Sequence, residues 1–361
     1  AATGDTVARA NGKFVAQVRR NVNGDLKSFT ADEVTDGTLT SFVNESFTSS
    51  LPLDVAGSAA AAYGLRNLSS SYDGNVVEVR RSSDDTTRDF TAAEITNGTL
   101  LAFVGTGGSD NGFVKTWYDQ SGNSNDAAQA TAASQPKIVS AGALVTGGIG
   151  FDGTDDFLKY SGNFLGSSSA SSFSVSNFNN ASASSREIIY GLQDASGNRY
   201  DFLVTRQSSN VIDFYVEGDS ESGSSLSITD TDKHLLTAIY ADTEKRNIFD
   251  DGALGHSFSN YNQGALTDGT DFLIGQDIAN SNRLNGSIAE LIVYASDQSD
   301  KRRAIEESIA TANGITLASF NRDGFVKTWY DQSVTNEAGD TATGNHATQA
   351  TAASQPKIVS A

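Results

Sequence analysis

The sequence predicts an all-β protein: a two-sheet β-sandwich joined to smaller β-rich repeat modules, with few and short helices. Three observations carry this reading. Between residues 142 and 318, β-prone runs of about 5 to 8 residues alternate with turns rich in Gly, Asn, Asp and Ser. The chain of 361 residues has 19 Phe and 11 Tyr to fill a β core, and its 34 Gly against 3 Pro suit turns. Finally, GFVKTWYDQS begins at Gly112 and again at Gly324, and both copies close on ATAASQPKIVSA, at Ala141 and Ala361.

The repeat sets the domain organisation. Phe29 to Val43, FTADEVTDGTLTSFV, returns as Phe90 to Val104, FTAAEITNGTLLAFV. Gln17-Val18-Arg19-Arg20 and Glu78-Val79-Arg80-Arg81 keep the same offset of 61 positions. Residues 60–141 therefore hold a complete module, residues 1–45 only its first half, and residues 319–361 only its second half. Residues 46–59 are a Ser/Ala-rich connector with Pro52, and residues 142–318 are the sandwich. Each half alone would leave strand edges unpaired. Two solutions exist: the halves join within one chain, or the C-terminal half of one copy completes the N-terminal half of the next. The second is a head-to-tail contact, which propagates as a filament unless rotation closes a ring. We expect the second. It describes a self-assembling structural protein, extracellular or on a virion surface, joined by strand addition. Phe14, Val18, Phe29 and Phe42 would meet Phe325, Trp329, Tyr330 and Ile358 of a neighbouring copy.

Each element has a local reason. Phe14 to Val18 alternates as a strand and leads into Arg19-Arg20, and Asn23-Gly24 is a turn signal. The run from Ala60 to Tyr63 opens as a short helix or as a strand leading to a turn at Asp73-Gly74. A strand follows at Val76 to Arg80. Thr91-Ala92-Ala93-Glu94 fits a capping box, starting a helix of a turn or two closed at Gly98. Phe113 to Tyr118 is a strand, and Asp119 to Asn123 a loop of hydrogen-bonding side chains. Asp119 and its counterpart Asp331 are expected to fix that loop by accepting amides. Sandwich strands are expected at 150–152, 156–160, 172–178, 187–192, 200–205, 211–216, 234–241, 245–249, 272–275 and 286–294. Ser299 is expected to cap a helix from Asp300 to Ala312, with Ile305, Ile309 and Ala312 on one face and Asn313-Gly314 as the stop.

Composition excludes several functions. With 44 acidic and 25 basic residues, a formal net charge of -19, the chain is unsuited to nucleic acid, which is bound largely by Lys and Arg. The absence of Cys excludes disulfides and thiolate metal sites. Cys and Met are both missing, which suits long exposure outside cells. A start at Ala1 suggests a processed N-terminus. No apolar run reaches the ~18–20 residues needed to span a bilayer. Calcium is the one cofactor the residues suggest, held by Asp152, Asp155 and Asp156, or by Asp230 and Asp232. His234, His256 and His346 are too scattered for a triad.

FDGTDDFLKY, HLLTAIYADTEKRNIFDDGAL and the stretch FLIGQD…GSIAELIVYASDQSDKRRAIEESIATANGI together resemble laminin-G/concanavalin-like jelly-roll domains over residues 145–315. That resemblance implies a fold shared by lectins, adhesion modules, glycosidases and virion proteins. AAYGLRNLSSSYDGNVVEVRRSSDDTTRDF followed by WYDQSGNSNDAAQA resembles the N-terminal part of the catalytic domain of arabinofuranosidase B. This implies hydrolysis of an arabinofuranosyl bond by two carboxylates with retention. Carried over, Glu217 in IDFYVEGD lies in the nucleophile region and Asp277 in LIGQD in the general-acid region. The adjacent cysteines against which that family packs the sugar have no counterpart here. Trp117 reads as a glycan-stacking platform or as the core anchor of a repeated motif, and the anchor is the preferred reading. The alternative to a structural protein is thus a glycan-active one, a retaining glycosidase or a carbohydrate-binding adhesin or tail-fibre module.

Overall fold

The computed structural model describes residues 14–194, 200–216, 224–241, 245–258, 266–277, 279, 281–330 and 346–360. The chain forms two compact units. One comprises residues 1–47, 300–304 and 319–361, and the other residues 48–299 and 305–318.

In the terminal unit, strand Phe14–Arg20 is flanked on one side by Leu26–Thr30 and on the other by Asp323–Trp329, both antiparallel. Asp323–Trp329 also pairs with Ala347–Thr348 and Lys357–Ser360. The two half-modules therefore complete each other within one chain, which corrects the expectation that a neighbouring copy supplies the missing half. Tethering makes the pairing intramolecular, and an effective concentration set by the chain outcompetes a separate copy. Of the residues expected to join copies, all but the exposed Trp329 build an internal seam instead. Val18 and Phe29 are fully buried with Ala16, Leu39, Val43 and Val326, and Phe42 and Ile358 pack against them. Phe14 lies 6.1 Å from the Tyr330 ring, and the Arg19 guanidinium sits 5.2 Å over Phe325.

This unit reproduces the strand register of the complete module. Val18 faces Val326 and Ala16 faces Trp329; in the internal copy Val79 faces Val114 and Val77 faces Trp117. Each pairing has a bulge just before the valine. A Cβ on Gly324 would come within 2.7 Å of Val43, and one on Gly112 within 2.9 Å of Val104. Glycine is what lets the helix lie on the sheet in both. Capping boxes form at Thr91/Glu94, as expected, and also at Thr30/Glu33. A second short helix, Thr99–Val104, follows Gly98 at φ 86°, where the sequence pattern shows only an ending.

The second unit is a jelly-roll sandwich. Its first sheet runs Ala253–Phe258, Lys245–Asp250, His234–Ala241, Ser169–Phe178, Asn285–Tyr294. Ile149–Asp152 and Ala61–Gly64 both pair with Asn285–Tyr294, at different ends of that strand. The second sheet runs Ile212–Val216, Tyr200–Arg206, Glu187–Gln193, Asp271–Ile274, Leu158–Tyr160, and reaches Ala127–Ala128. Phe151, Tyr190, Phe202, Phe214 and Phe272 meet Leu236, Tyr240 and Leu291 in one core. Residues 60–141 therefore share one unit with residues 142–299 and 305–318. The module adds Ala61–Gly64 to one sheet and Ala127–Ala128 to the other. Helix Arg302–Asn313 buries Ile305 and Ile309 against Phe173, Val175 and Leu235. It begins later than Ser299 suggests, because that hydroxyl donates to Asp297. Ala312 is exposed, and Ala310 takes the buried position.

Candidate functional site

The WYDQSGN stretch is a backbone latch. The buried Asp119 carboxylate accepts the Ala62 amide at 2.8 Å, the Ser121 amide at 2.8 Å and the Asn125 amide at 3.0 Å. Gln120 accepts the Leu68 amide at 2.9 Å and donates to the Gly64 and Arg66 carbonyls. Asn123 and Asn125 donate to the Ala59 and Ala60 carbonyls. The motif thus reads the backbone of the segment leading through strand Ala61–Gly64. Trp117 is 0% exposed, with its ring 5.6 Å from Tyr63. A sugar cannot reach it, so the stacking role is excluded and the anchor reading holds. Asp331 lies outside the described residues.

A different arrangement suits a polar ligand. In strand Ile212–Val216, alternation sends Ile212, Phe214 and Val216 into the core. Asp213 and Tyr215 stand on the opposite face, where Tyr215 packs with Ile188 and Leu203. A cavity of about 340 Å³ opens there, lined by Gln207, Ser208, Asp213, Tyr215 and Ser224 among others. Gln207 Nε2 donates to the Tyr215 hydroxyl at 2.9 Å, and that hydroxyl donates to Asp213 at 3.3 Å. The Arg186 guanidinium stacks 4.8 Å from the ring centre. Burial, reinforced by the Asp213 charge, pushes the Tyr215 hydroxyl up to about 12, so it stays a neutral donor. An aromatic ring, a carboxylate, an amide and hydroxyls line one concavity, the donors and acceptors that a polyhydroxylated ligand would need. The signal in the sequence was Asp213, a carboxylate inside an otherwise apolar strand.

The two carboxylates carried over as catalytic are not assembled into a pair by the described residues. Glu217 lies outside them. Asp277 is 1% exposed, and its two oxygens accept the Ser281 amide and hydroxyl, each at 2.8 Å, and the Asn282 amide and side chain. That is the geometry of a turn-fixing carboxylate.

Asp152, Asp155 and Asp156 do converge, with one carboxylate oxygen of each within 4.8 Å of the others. Burial, helped by the neighbouring Asp152 charge, raises Asp156 to about 7. Asp156 accepts the Asp152 amide at 3.1 Å, and Asp155 accepts the Ser134 hydroxyl at 3.3 Å. Clustered oxygen ligands of this kind suit a hard divalent cation. Asp230 and Asp232 form a different arrangement. Asp230 bonds His234 Nε2 at 2.9 Å, and His234 Nδ1 meets Asp250 at 2.9 Å. Burial opposes charge on that imidazole, but hydrogen bonds to Asp250 and Asp230 prevail and raise it to about 9. Both ring nitrogens are engaged, so His234 serves as a cationic tie between aspartates.

Residues 152–302 match the family described as the Concanavalin A-like lectin/glucanases superfamily. No curated protein matches the sequence significantly. Among solved structures, the chain is similar to a GH54 α-L-arabinofuranosidase soaked with a cyclic sulfate inhibitor. The identity is 17% and the TM-score 0.53, over 71% of this chain and 63% of that one. It is also similar to an arabinofuranosidase complexed with arabinofuranosyl-α-1,2-xylobiose, at 18% identity and a TM-score of 0.51, over 70% of this chain and 63% of that one. The chain spans less than two thirds of either enzyme, and at these identities the likeness establishes the fold. The two resemblances read from the sequence, concanavalin-like and arabinofuranosidase-like, are both met.

Proposed function

We propose that this is a glycan-binding protein whose jelly roll holds a saccharide in the Tyr215–Asp213 cavity, outside the cell or on a virion surface. The observation that carries the reading is the polar cavity itself, about 340 Å³ beside the concanavalin-like sheet, with the largely buried Tyr215 and Asp213 in its wall. The fold neighbours make arabinofuranosyl-bearing oligosaccharides the first ligands to try. Calorimetric titration should show saturable binding. Tyr215→Ala should weaken it by about tenfold, the equivalent of ~1.4 kcal/mol. Asp213→Asn should cost a comparable amount, as expected on losing a charge-assisted hydrogen bond worth ~1.5–3 kcal/mol. Binding that is unchanged in both variants would remove the cavity from consideration. Turnover of an arabinofuranoside, abolished by Glu217→Gln or Asp277→Asn, would make the protein a hydrolase; the saturated surroundings of Asp277 favour binding alone. Head-to-tail assembly has lost its driver, since neither terminal half lacks its complement.

Asp152, Asp155 and Asp156 would hold a calcium ion that fixes the loop between strands Ile149–Asp152 and Leu158–Tyr160. Calcium should raise the thermal midpoint relative to chelator. A ligand at 100 times its Kd stabilises by about 2.7 kcal/mol. Asp156→Asn should remove the difference, and equal midpoints with calcium and chelator would end the assignment.

A further inference from the structure

The two copies of the module share a strand register but differ in what covers them, and the terminal copy has a longer segment, residues 331–346, where the internal copy has residues 119–126. Trp117 is 0% exposed and Trp329 60%. The difference extends across the face. Ala127, Pro136 and Ile138 are buried, whereas their counterparts Ala347 and Pro356 are exposed and Ile358 is half-buried. The residue types are identical at all four positions, so the exposure does not come from the sequence of the face.

The internal copy shows what the face is built to hold. Trp117, Ala127 and Ile138 share one core with Ile149, Phe151 and Leu158 of the sandwich. Ala128 pairs with Lys159 and Lys137 with Gly150, which joins the module to both sheets. Tyr63, on strand Ala61–Gly64, closes over Trp117. A contiguous apolar face left open on a folded unit marks a place where another surface docks.

We propose that the face bearing Trp329, Ala347, Pro356 and Ile358 is a docking seat for a second concanavalin-like sandwich, carrying an Ala-Ala-Tyr-Gly edge strand of the kind seen at Ala61–Gly64. The partner is specified by the internal copy. It needs two small residues where the strand passes the indole, a tyrosine to close over it, and sheet edges that continue the module. This chain's own sandwich is already seated on the internal module, so the occupant is a separate domain. The terminal repeat also keeps, in sequence, the Tyr-Asp-Gln-Ser that follows the internal tryptophan.

The test uses the two tryptophans as reporters. Trp117→Phe leaves Trp329 as the sole indole of the full chain. Its emission should be that of an exposed residue, open to acrylamide. A second copy of residues 142–318, fused after Ala361 and supplemented with a synthetic peptide of residues 58–68 that carries the Ala61–Gly64 strand, should move the emission to the blue and lower the quenching constant toward that of Trp117 in a Trp329→Phe chain. The peptide alone provides an arm that requires no folding of the fused domain. Added to the Trp117→Phe chain it should give a saturable blue shift, which a Tyr63→Ala peptide does not give. A red, freely quenched Trp329 in the fusion, together with no response to the peptide, overturns the proposal. So does protection that already exists in the unfused chain and rises with its concentration, which would make the seat an interface between like copies.

Discussion

Arg206→Ala should destabilise the sandwich by about 3–5 kcal/mol, the cost of breaking a buried ion pair from one side. The Arg206 side chain is 0% exposed and lies 3.3 Å from the Glu187 carboxylate, itself nearly buried. Its guanidinium also donates to the carbonyls of Asn180, Ala181 and Ile228 and to Asn210 Oδ1, and it stacks 4.4 Å over Phe178. Burial already raises the Glu187 carboxyl, with Arg206 pulling it back. Without the arginine, Glu187 would have to take up a proton or draw in water. Three loops lose their anchor together, among them the Gln207–Val211 turn beside the Tyr215 cavity. Calorimetry should record a fall in midpoint on the order of 10 °C. Replacing both partners, Arg206→Met with Glu187→Met, should recover much of the loss, because two apolar side chains leave no stranded charge. A loss under about 1 kcal/mol for Arg206→Ala would mean that water reaches the pair in solution.

Where the physics is local, it could be read from the sequence. The capping box at Thr91 and Glu94 depends on two side chains three residues apart, so sequence suffices. The strand His234–Ala241 has the bounds that its apolar run and flanking acids mark. The loop role of Asp119 was legible for the same reason, as its nearest donors, Ser121 and Asn125, are close in sequence. Asp277 carried an equally local signal in Ser281 and Asn282, which the resemblance to a catalytic family outweighed. What could not be read was which chain supplies a missing half. Val18 and Val326 are complementary in either arrangement, and only the closure of one chain decides between them. The cavity was obscured for a different reason. Asp213 marks the strand Ile212–Val216 as unusual, but the strand is buried on both faces, so one carboxylate does not say which side opens into a cavity.

The repeat also supplies a controlled comparison of burial. Trp117→Ala and Trp329→Ala remove the same atoms from the same motif in the same strand register, opposite Val77 in one copy and Ala16 in the other. Trp117→Ala should cost about 3–5 kcal/mol, the range for emptying a tryptophan-sized site in a core. It strips the indole from the Tyr63 ring and opens the core where module and sandwich meet. The Tyr63 hydroxyl still donates to the Asn125 carbonyl, which holds the walls apart and limits collapse into the gap. Trp329→Ala should stay within about 0.5 kcal/mol of the parent chain, as for a surface position without a cap or charge partner. Calorimetric unfolding of each variant against the parent chain separates the two values, because the two tryptophans lie in different units. A loss at Trp329 equal to that at Trp117 would mean the face is already covered in solution, and that exposure in a single copy is not what the indole experiences. A small loss at both would place the strength of the module elsewhere, in the backbone bonds that Asp119 and Gln120 make to the strand they clasp.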